Sequence, residues 1–216
     1  MINLKPSENS HGARQAIILS LLITAFFIIT YLVANNNIFI INLDNSVQTF
    51  IANRESPSLT ETMLSITKIG NVFETFIIFM IFGLFLILKN KKYFYIFTLA
   101  TASGIMLVET IKIVILKARP VTAMLTEQGY SFPSYHATIA MIFLLSSVFL
   151  LIPLMKKGLS KNIFVIITFI IFPLVAFSRI YLFVHWTSDV IAGIILGAIC
   201  FIFAEIICCH KKENVL

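Results

Sequence analysis

Residues 16–34 read AIILSLLITAFFIITYLVA and contain no charged side chain. A helix needs about 20 apolar residues to cross the hydrocarbon core of a bilayer, so this stretch predicts a membrane span. The run is longer than the apolar region of a secretory signal peptide, and no clean A-x-A cleavage site follows it. We therefore expect a retained span and not a cleaved leader.

Five further apolar runs follow, and together the six predict an all-α integral membrane protein, a six-helix transmembrane bundle. Only 12% of the 216 residues are charged, against about 25% in a soluble domain. We expect one membrane domain, residues 16–209, between tails at residues 1–15 and 210–216. A Gly193-x-x-x-Gly197 motif predicts close helix contact inside the bundle. The predicted spans are 16–34, 72–88, 93–116, 137–155, 162–178 and 190–209.

The distribution of lysine and arginine predicts the orientation, because these residues are enriched in short cytoplasmic loops. Ten of the sixteen fall in the two tails and the two even-numbered loops. Both termini are therefore predicted to be cytoplasmic, in a multi-pass protein of the cytoplasmic (inner) membrane. The net charge of +6 reports this topology, and we expect no nucleic-acid partner. The ten residues are Lys5, Arg14, Lys89, Lys91, Lys92, Lys156, Lys157, Lys161, Lys211 and Lys212.

Two other features limit the function. Residues 35–71, between the first two spans, mix polar and apolar side chains and predict one or two short amphipathic helices at the outer interface. The three cysteines, Cys200, Cys208 and Cys209, form neither a disulfide framework nor a CxxC metal site. Redox chemistry and zinc binding are therefore not expected.

The first cluster of charges on the predicted outer side closes the third span. Ionisable groups at membrane depth are costly, so each is a functional candidate. Lys112 and Arg119 are seven residues apart, and on a continuous helix they would project from one face about 10 Å apart. Pro120 would then end that helix.

Two more clusters lie on the same predicted side. Ser131–His136 contains Pro133 and Ser134 and predicts a helix start, whose unpaired amides form an anion site. Ser178–Asp189 places His185 and Asp189 four residues apart, where they can share a helix face and the carboxylate can orient the imidazole.

The three clusters together predict a phosphate site with a nucleophile and an acid beside it. The guanidinium group donates two parallel hydrogen bonds to phosphate, and lysine adds a point charge. A histidine backed by an aspartate can attack phosphorus, while a second histidine can protonate the departing oxygen.

Three motifs occur in order: K-x6-R-P at Lys112–Pro120, P-S-x-H at Pro133–His136 and S-R-x5-H-x3-D at Ser178–Asp189. In these motifs and in its six spans the chain resembles the type 2 phosphatidic acid phosphatase family. The resemblance implies that His185 is the nucleophile that forms a phosphohistidine, oriented by Asp189, and that His136 is the general acid. It also implies phosphate binding by Lys112, Arg119, Arg179, Ser134 and the amide of Tyr135, with no metal and no cofactor.

One position departs from the family pattern, which usually has glycine where this chain has Tyr135. If this residue needs a positive φ, a tyrosine costs about 1 to 2 kcal/mol of strain. Otherwise only the space above the phosphate changes.

The resulting hypothesis is a phosphatase for a lipid phosphate or diphosphate at the outer face of the membrane. Undecaprenyl diphosphate, phosphatidylglycerophosphate, phosphatidate and lipid A phosphates all fit, and composition does not choose among them. Alternatives are a lipid phosphotransferase with the same site and a non-catalytic lipid-phosphate binding or transport protein. A haloperoxidase would need vanadate, and the known ones of this architecture are soluble. The sequence does not indicate the oligomeric state.

Overall fold

In the computed structural model, which describes residues 8–210 and the side chains of residues 12–208, the protein is helical apart from its connecting turns and loops. The predicted tail residues Lys5, Lys211 and Lys212 and the Cys209 side chain lie outside it. A 3₁₀ turn, Lys68–Gly70, follows α3, and α6 continues as a π turn and a 3₁₀ turn to Leu154. The helices are α1 (Glu8–Ala34), α2 (Ile38–Ala52), α3 (Pro57–Thr67), α4 (Val72–Lys89), α5 (Lys91–Ile115), α6 (Tyr135–Ser146), α7 (Leu159–Tyr181) and α8 (Thr187–His210).

Within the described residues, six helical segments are long and apolar enough to span a membrane, so the prediction of a six-span all-α protein is confirmed. Their bounds agree with the predicted spans to within about four residues at each end. The segments are Gly12–Ala34, Val72–Lys89, Lys91–Ile115, Tyr135–Leu154, Leu159–Tyr181 and Thr187–Cys208. The cytoplasmic location of the termini stays a prediction.

The segment between the first two spans forms two short helices, α2 and α3, as its mixed pattern predicted. Asn37 caps α2 by accepting a hydrogen bond from the amide of Phe39 at 2.9 Å. Ser56 caps α3 in the same way through the amide of Leu59, and Pro57 occupies the first helical position, where its missing N–H is not needed. These helices bring Asp44 and Thr67 to buried positions beside the last three spans.

Helices α6 and α8 pack almost backbone to backbone, and this contact assembles the site. A Cβ on Gly193 would lie 2.6 Å from the carbonyl oxygen of Ser134, and one on Gly197 would lie 2.5 Å from that of Thr138. Any side chain at either glycine would force the helices apart. The prediction that Gly193 and Gly197 serve packing inside the bundle is confirmed.

The helix of the third span does not continue to Pro120, as the sequence predicted. Helix α5 stops at Ile115, and Leu116 takes a left-handed conformation with φ 56°. The prediction that Lys112 and Arg119 share one helix face, with Pro120 ending the helix, is therefore wrong. The chain turns at Leu116 because Lys117 is drawn inward to two buried carboxylates, described below. Residues 117–134 form an irregular loop that covers the site.

Candidate active site

The site lies where the N-termini of α6 and α8 meet. The amide of Ser134 donates to the carbonyl oxygen of Asp189 at 3.0 Å, which joins the two helix starts. The Ser134 hydroxyl caps α6 by accepting a hydrogen bond from the amide of Ala137 at 3.4 Å. The amides of Tyr135 and His136 belong to the first turn, where a helix has no internal acceptor, so they are donors available to an anion.

His185 and Asp189 are close together, but not on one helix face as predicted. His185 lies in the turn that joins α7 to α8, and its amide donates to the carbonyl oxygen of Arg179 at 3.2 Å. Asp189 lies in the first turn of α8, where its Oδ2 accepts a hydrogen bond from the amide of Trp186 at 2.9 Å. The same Oδ2 lies 3.5 Å from His185 Nδ1. The turn before the helix therefore orients the pair, and Asp189 also caps α8.

The hydrogen bonds around His185 define its tautomer. A guanidinium group only donates, so Arg119 Nη1, which lies 3.2 Å from His185 Nε2, requires a lone pair on that nitrogen. The proton is then on Nδ1, facing Asp189. Burial lowers the pKa of His185 to about 4, although Asp189 opposes this shift. The imidazole is therefore neutral at neutral pH, with Nε2 available as a nucleophile.

Arg119 also fixes the covering loop in place. Its Nε and Nη2 donate to the carbonyl oxygens of Gly129 and Gln128 at 3.1 and 3.2 Å, and Nη1 donates to that of Val184 at 2.9 Å. Lys112 instead stays on α5, where it forms an ion pair with Glu109 at 2.9 Å. Arg119 thus contacts His185, the predicted nucleophile, directly.

Arg179 is bound to a carboxylate that the sequence analysis did not single out. It is 1% exposed, and it donates to Thr67 Oγ1 at 2.7 Å and to Glu127 Oε1. Burial alone would raise the pKa of Glu127, but the hydrogen bond and charge of Arg179 and the charge of Arg119 hold that pKa below its usual range. A carboxylate of the protein itself, that of Glu127, is therefore bound to Arg179, the cation that the family motif assigns to phosphate.

Three buried ring or guanidinium nitrogens in the site are unsatisfied. Among the described residues, His136 Nε2, Arg179 Nε and His185 Nδ1 have no hydrogen-bond partner, since His185 Nδ1 lies 3.5 Å from Asp189 Oδ2 without forming one. The imidazole of His136 packs directly against Gly70. A Cβ on residue 70 would lie 2.3 Å from Cδ2 of the imidazole, so the contact leaves no room for a side chain. Buried polar groups without partners are rare in native proteins and often mark the place of a ligand.

A third group of polar residues, Lys117, Asp44 and Ser188, lies behind Asp189, and no sequence motif predicted a role for them. Lys117 Nζ donates to Asp189 Oδ1 at 2.9 Å, to Asp44 Oδ2 at 3.0 Å and to the hydroxyl of Ser188 at 2.7 Å. Asp44 also accepts hydrogen bonds from the amide and the hydroxyl of Ser188, at 2.8 and 2.7 Å. The lysine in this group comes from the same loop as Arg119.

Tyr135 is the first residue of α6 and is not one of the described residues with a positive φ. The tyrosine therefore causes no backbone strain, and the second of the two expectations holds: only the space near the anion site differs. Its ring meets that of His136 edge to face, with the centroids 5.8 Å apart.

The arrangement is suited to nucleophilic attack on an anion. It combines a neutral imidazole whose Nε2 lone pair accepts a hydrogen bond from Arg119, a carboxylate behind that imidazole, two arginines, a helix N-terminus and a second buried histidine. Four of the predicted residues are linked in a chain of contacts. Arg119 contacts His185, His185 lies beside Asp189, and the carbonyl oxygen of Asp189 accepts a hydrogen bond from the amide of Ser134. Arg179 and Lys112 lie close enough to His136 to act on it electrostatically, and the Lys112 side chain is partly exposed.

Comparison with known proteins gives one family match and two similar solved structures. The model of the PAP2 superfamily matches residues 91–212. The crystal structure of the first transmembrane PAP2 type phosphatidylglycerolphosphate phosphatase from Bacillus subtilis is 26% identical, with a TM-score of 0.76, over 92% of this chain and 98% of that one. The structure of Aquifex aeolicus LpxE is 22% identical, with a TM-score of 0.60 over 74% and 93% of the two chains, and shares the fold. No curated protein matches the sequence.

Proposed function

The chain belongs to the PAP2 superfamily, and from that premise we propose that it is a membrane phosphatase that removes phosphate from lipids through a phosphohistidine at His185. The observation that carries the proposal is the environment of His185: its unprotonated Nε2 faces Arg119, and Asp189 lies behind its Nδ1. A neutral, oriented imidazole is what an attack on phosphorus requires.

In the first half of the reaction, His185 Nε2 attacks phosphorus and the bond from phosphorus to the lipid oxygen breaks. The imidazole gains positive charge in this step, and Asp189 stabilises it through Nδ1–H. His136 gives its proton to the departing oxygen. A phosphate dianion beside His136 favours the protonated form of that histidine, which is the form a proton donor needs.

In the second half, water attacks the phosphohistidine and His136 takes a proton from it. The bond between Nε2 and phosphorus breaks, inorganic phosphate leaves, and His185 returns to its neutral form. One residue thus acts as an acid in the first half and as a base in the second, which leaves the enzyme unchanged after one turnover.

The cations stabilise the phosphoryl group in both steps. Arg119 and Arg179 would bind its oxygens together with the amide of Tyr135 and the hydroxyl of Ser134, and Lys112 would add charge from α5. Charge development on the transferring group is the main demand of phosphoryl transfer. We propose that these groups do so without a metal ion, which the assay below tests.

The surroundings of His136 favour a lipid substrate. A small cavity beside the histidine is lined by Ile78 and Phe172. Ile78 also lines an adjoining cleft of about 290 Å³, formed with Phe82 and Phe164 between α4 and α7. These apolar surfaces on the membrane side of His136 support a substrate whose acyl or prenyl chain stays in an apolar environment while its phosphate reaches His185.

We propose phosphatidylglycerophosphate as the first substrate to test, since the Bacillus subtilis structure bears that name and covers nearly the whole chain. Undecaprenyl diphosphate, phosphatidate and lipid A phosphates present the same group and belong in the panel. From the loop charges we further propose that the site faces the periplasm or exterior of the cytoplasmic membrane.

The direct test is phosphate release by the purified full-length protein in detergent, with EDTA, across these lipids. We expect free phosphate from at least one of them at a rate that EDTA does not lower. Loss of activity in EDTA that Mg²⁺ restores would contradict the metal-free mechanism. Disappearance of the lipid phosphate without free phosphate, and with label on a second lipid, would indicate a phosphotransferase.

Glu127 provides a further prediction. Because its carboxylate occupies Arg179 when no substrate is present, the substrate phosphate must compete with it. We expect Glu127→Gln to bind inorganic phosphate about tenfold more tightly, which corresponds to about 1.4 kcal/mol, measured as the inhibition constant of phosphate in the lipid assay.

The matched control for this variant is Glu55→Gln, which removes the same charge from an exposed residue between α2 and α3. It should leave the inhibition constant within about twofold of the wild-type value, as expected for an exposed charge. Weaker phosphate binding by Glu127→Gln would mean that Glu127 holds Arg179 in position instead of competing for it.

A further inference from the structure

The group behind Asp189 is built from three different parts of the chain. Asp44 comes from α2, Lys117 from the loop after α5, and Ser188 from the first turn of α8. Asp44 is 4% exposed and Ser188 and Asp189 are fully buried. The hydrogen bonds of Lys117 Nζ, between 2.7 and 3.0 Å, connect all three.

The charges in this group bear on the chemistry of His185. Lys117 alone would neutralise Asp189, and a neutralised Asp189 could not stabilise the positive charge that His185 gains on attack. Asp44 supplies a second carboxylate to the same ammonium group at 3.0 Å. The three residues together carry one net negative charge, and that charge is available to His185.

We propose that Lys117 and Asp44 are positioning residues of the reaction: Lys117 anchors Asp189 against α2, and Asp44 offsets the lysine so that Asp189 remains an effective anion behind His185. The inference rests on the proposed function, in which His185 is the nucleophile. Neither residue touches the phosphate, and Ser188 connects the two by donating its amide and hydroxyl to Asp44.

Other charged groups also act on His185, and the test must keep them constant. They come from the covering loop, α6, α7 and α8, and they are Arg119, Glu127, His136, Arg179 and Asp189. Substitutions at Asp44 and Lys117 change the charge of none of these groups, and Lys117→Arg, described below, tests whether their positions are kept. The titration of His185 therefore reports the charge of the group behind Asp189.

The experiment is a charge series in the full-length protein: Lys117→Met, Asp44→Asn and the double variant. Lys117→Met leaves the two negative charges of Asp44 and Asp189. It should therefore raise by about one unit the pH at which kcat/KM falls on the acid side (the acid limb), because a nearby anion favours the protonated form of His185. Asp44→Asn leaves Asp189 neutralised by Lys117 and should lower kcat about tenfold without raising that limb. The double variant again carries one negative charge and should return the acid limb to the wild-type pH.

Two controls separate charge from simple structural support. Lys117→Arg keeps the charge and should keep the acid limb within about 0.3 pH unit of wild type, well below the shift expected from a full charge. Thermal stability of every variant is measured alongside. An acid limb that stays in place in Lys117→Met, or a double variant that is worse than both single variants, would overturn the proposal and leave these residues a structural role.

The titration can also be followed without turnover, by NMR of ¹⁵N-labelled histidine with His185 assigned from its loss in His185→Ala. We expect the same upward shift of the His185 pKa in Lys117→Met. If the wild-type protein hydrolyses no lipid phosphate, the proposed function fails, and the NMR shift still decides whether Lys117 and Asp44 set the charge at His185. If the lipid assay succeeds and the NMR shift is absent, only the positioning proposal fails.

Discussion

Replacing His185 with alanine is expected to abolish phosphate release from lipid phosphates. The variant removes the group whose Nε2 faces Arg119 at 3.2 Å, and no other nucleophile is positioned there by the described residues. Loss of a nucleophile that forms a covalent intermediate costs at least about 10⁴-fold in kcat. The measurement is the steady-state rate with the best lipid of the panel, in EDTA.

This result is meaningful only if the variant remains folded. His185 is 3% exposed, so its truncation leaves a small cavity, and size-exclusion behaviour and thermal stability must be recorded beside the rate. Phosphate binding should persist, since Arg119 and Arg179 remain. A folded His185→Ala protein that retains a tenth or more of the wild-type rate would remove His185 from the mechanism.

Asp189→Asn is the second large effect that we expect. The amide is nearly the same shape as the carboxylate, but it carries no charge and cannot stabilise the imidazolium that forms on attack. The equivalent change in a serine protease triad lowers kcat about 10⁴-fold, and we expect a loss of about 10³-fold to 10⁴-fold here. KM for the lipid should change little, because Asp189 does not face the phosphate.

The control for Asp189→Asn is again Glu55→Gln, which removes one negative charge from the exposed surface and should keep full activity. Asp189 is also bound by the amide of Trp186 and by Lys117, so the folded state must be checked by thermal stability. A kcat within about tenfold of wild type would show that the carboxylate serves α8 as a cap and not the reaction.

The residues that the sequence could place are those whose positions follow from local signals. The apolar runs predict the spans because a bilayer allows few other structures, and Pro133 with Ser134 predicts the start of α6. His185 and Asp189 are close in sequence and so remain close in the fold. The prediction that the two residues share a helix face was wrong, because α8 begins at Thr187 and His185 lies in the turn before it.

The residues that the sequence could not place depend on contacts between distant segments. Leu116 ends α5 because Lys117 turns toward Asp44 and Asp189, which are 73 and 72 residues away. A helical periodicity carries no information on such partners, so the continuous helix through Arg119 was the natural expectation. Glu127 could have been noticed, since it is the acidic residue within the loop that joins two phosphate-binding motifs.

The most direct measurement is a search for the phosphohistidine itself. The protein is mixed with a lipid carrying a ³²P-labelled phosphate, the reaction is quenched in alkali within milliseconds, and the labelled peptide is identified by mass spectrometry. His136→Ala is included because it removes both the acid that assists formation of the intermediate and the base that assists its hydrolysis, so label on His185 should appear more slowly and last longer. We predict alkali-stable, acid-labile label on His185, absent from His185→Ala. Turnover without a labelled protein in either enzyme, or label on another residue, would contradict the mechanism.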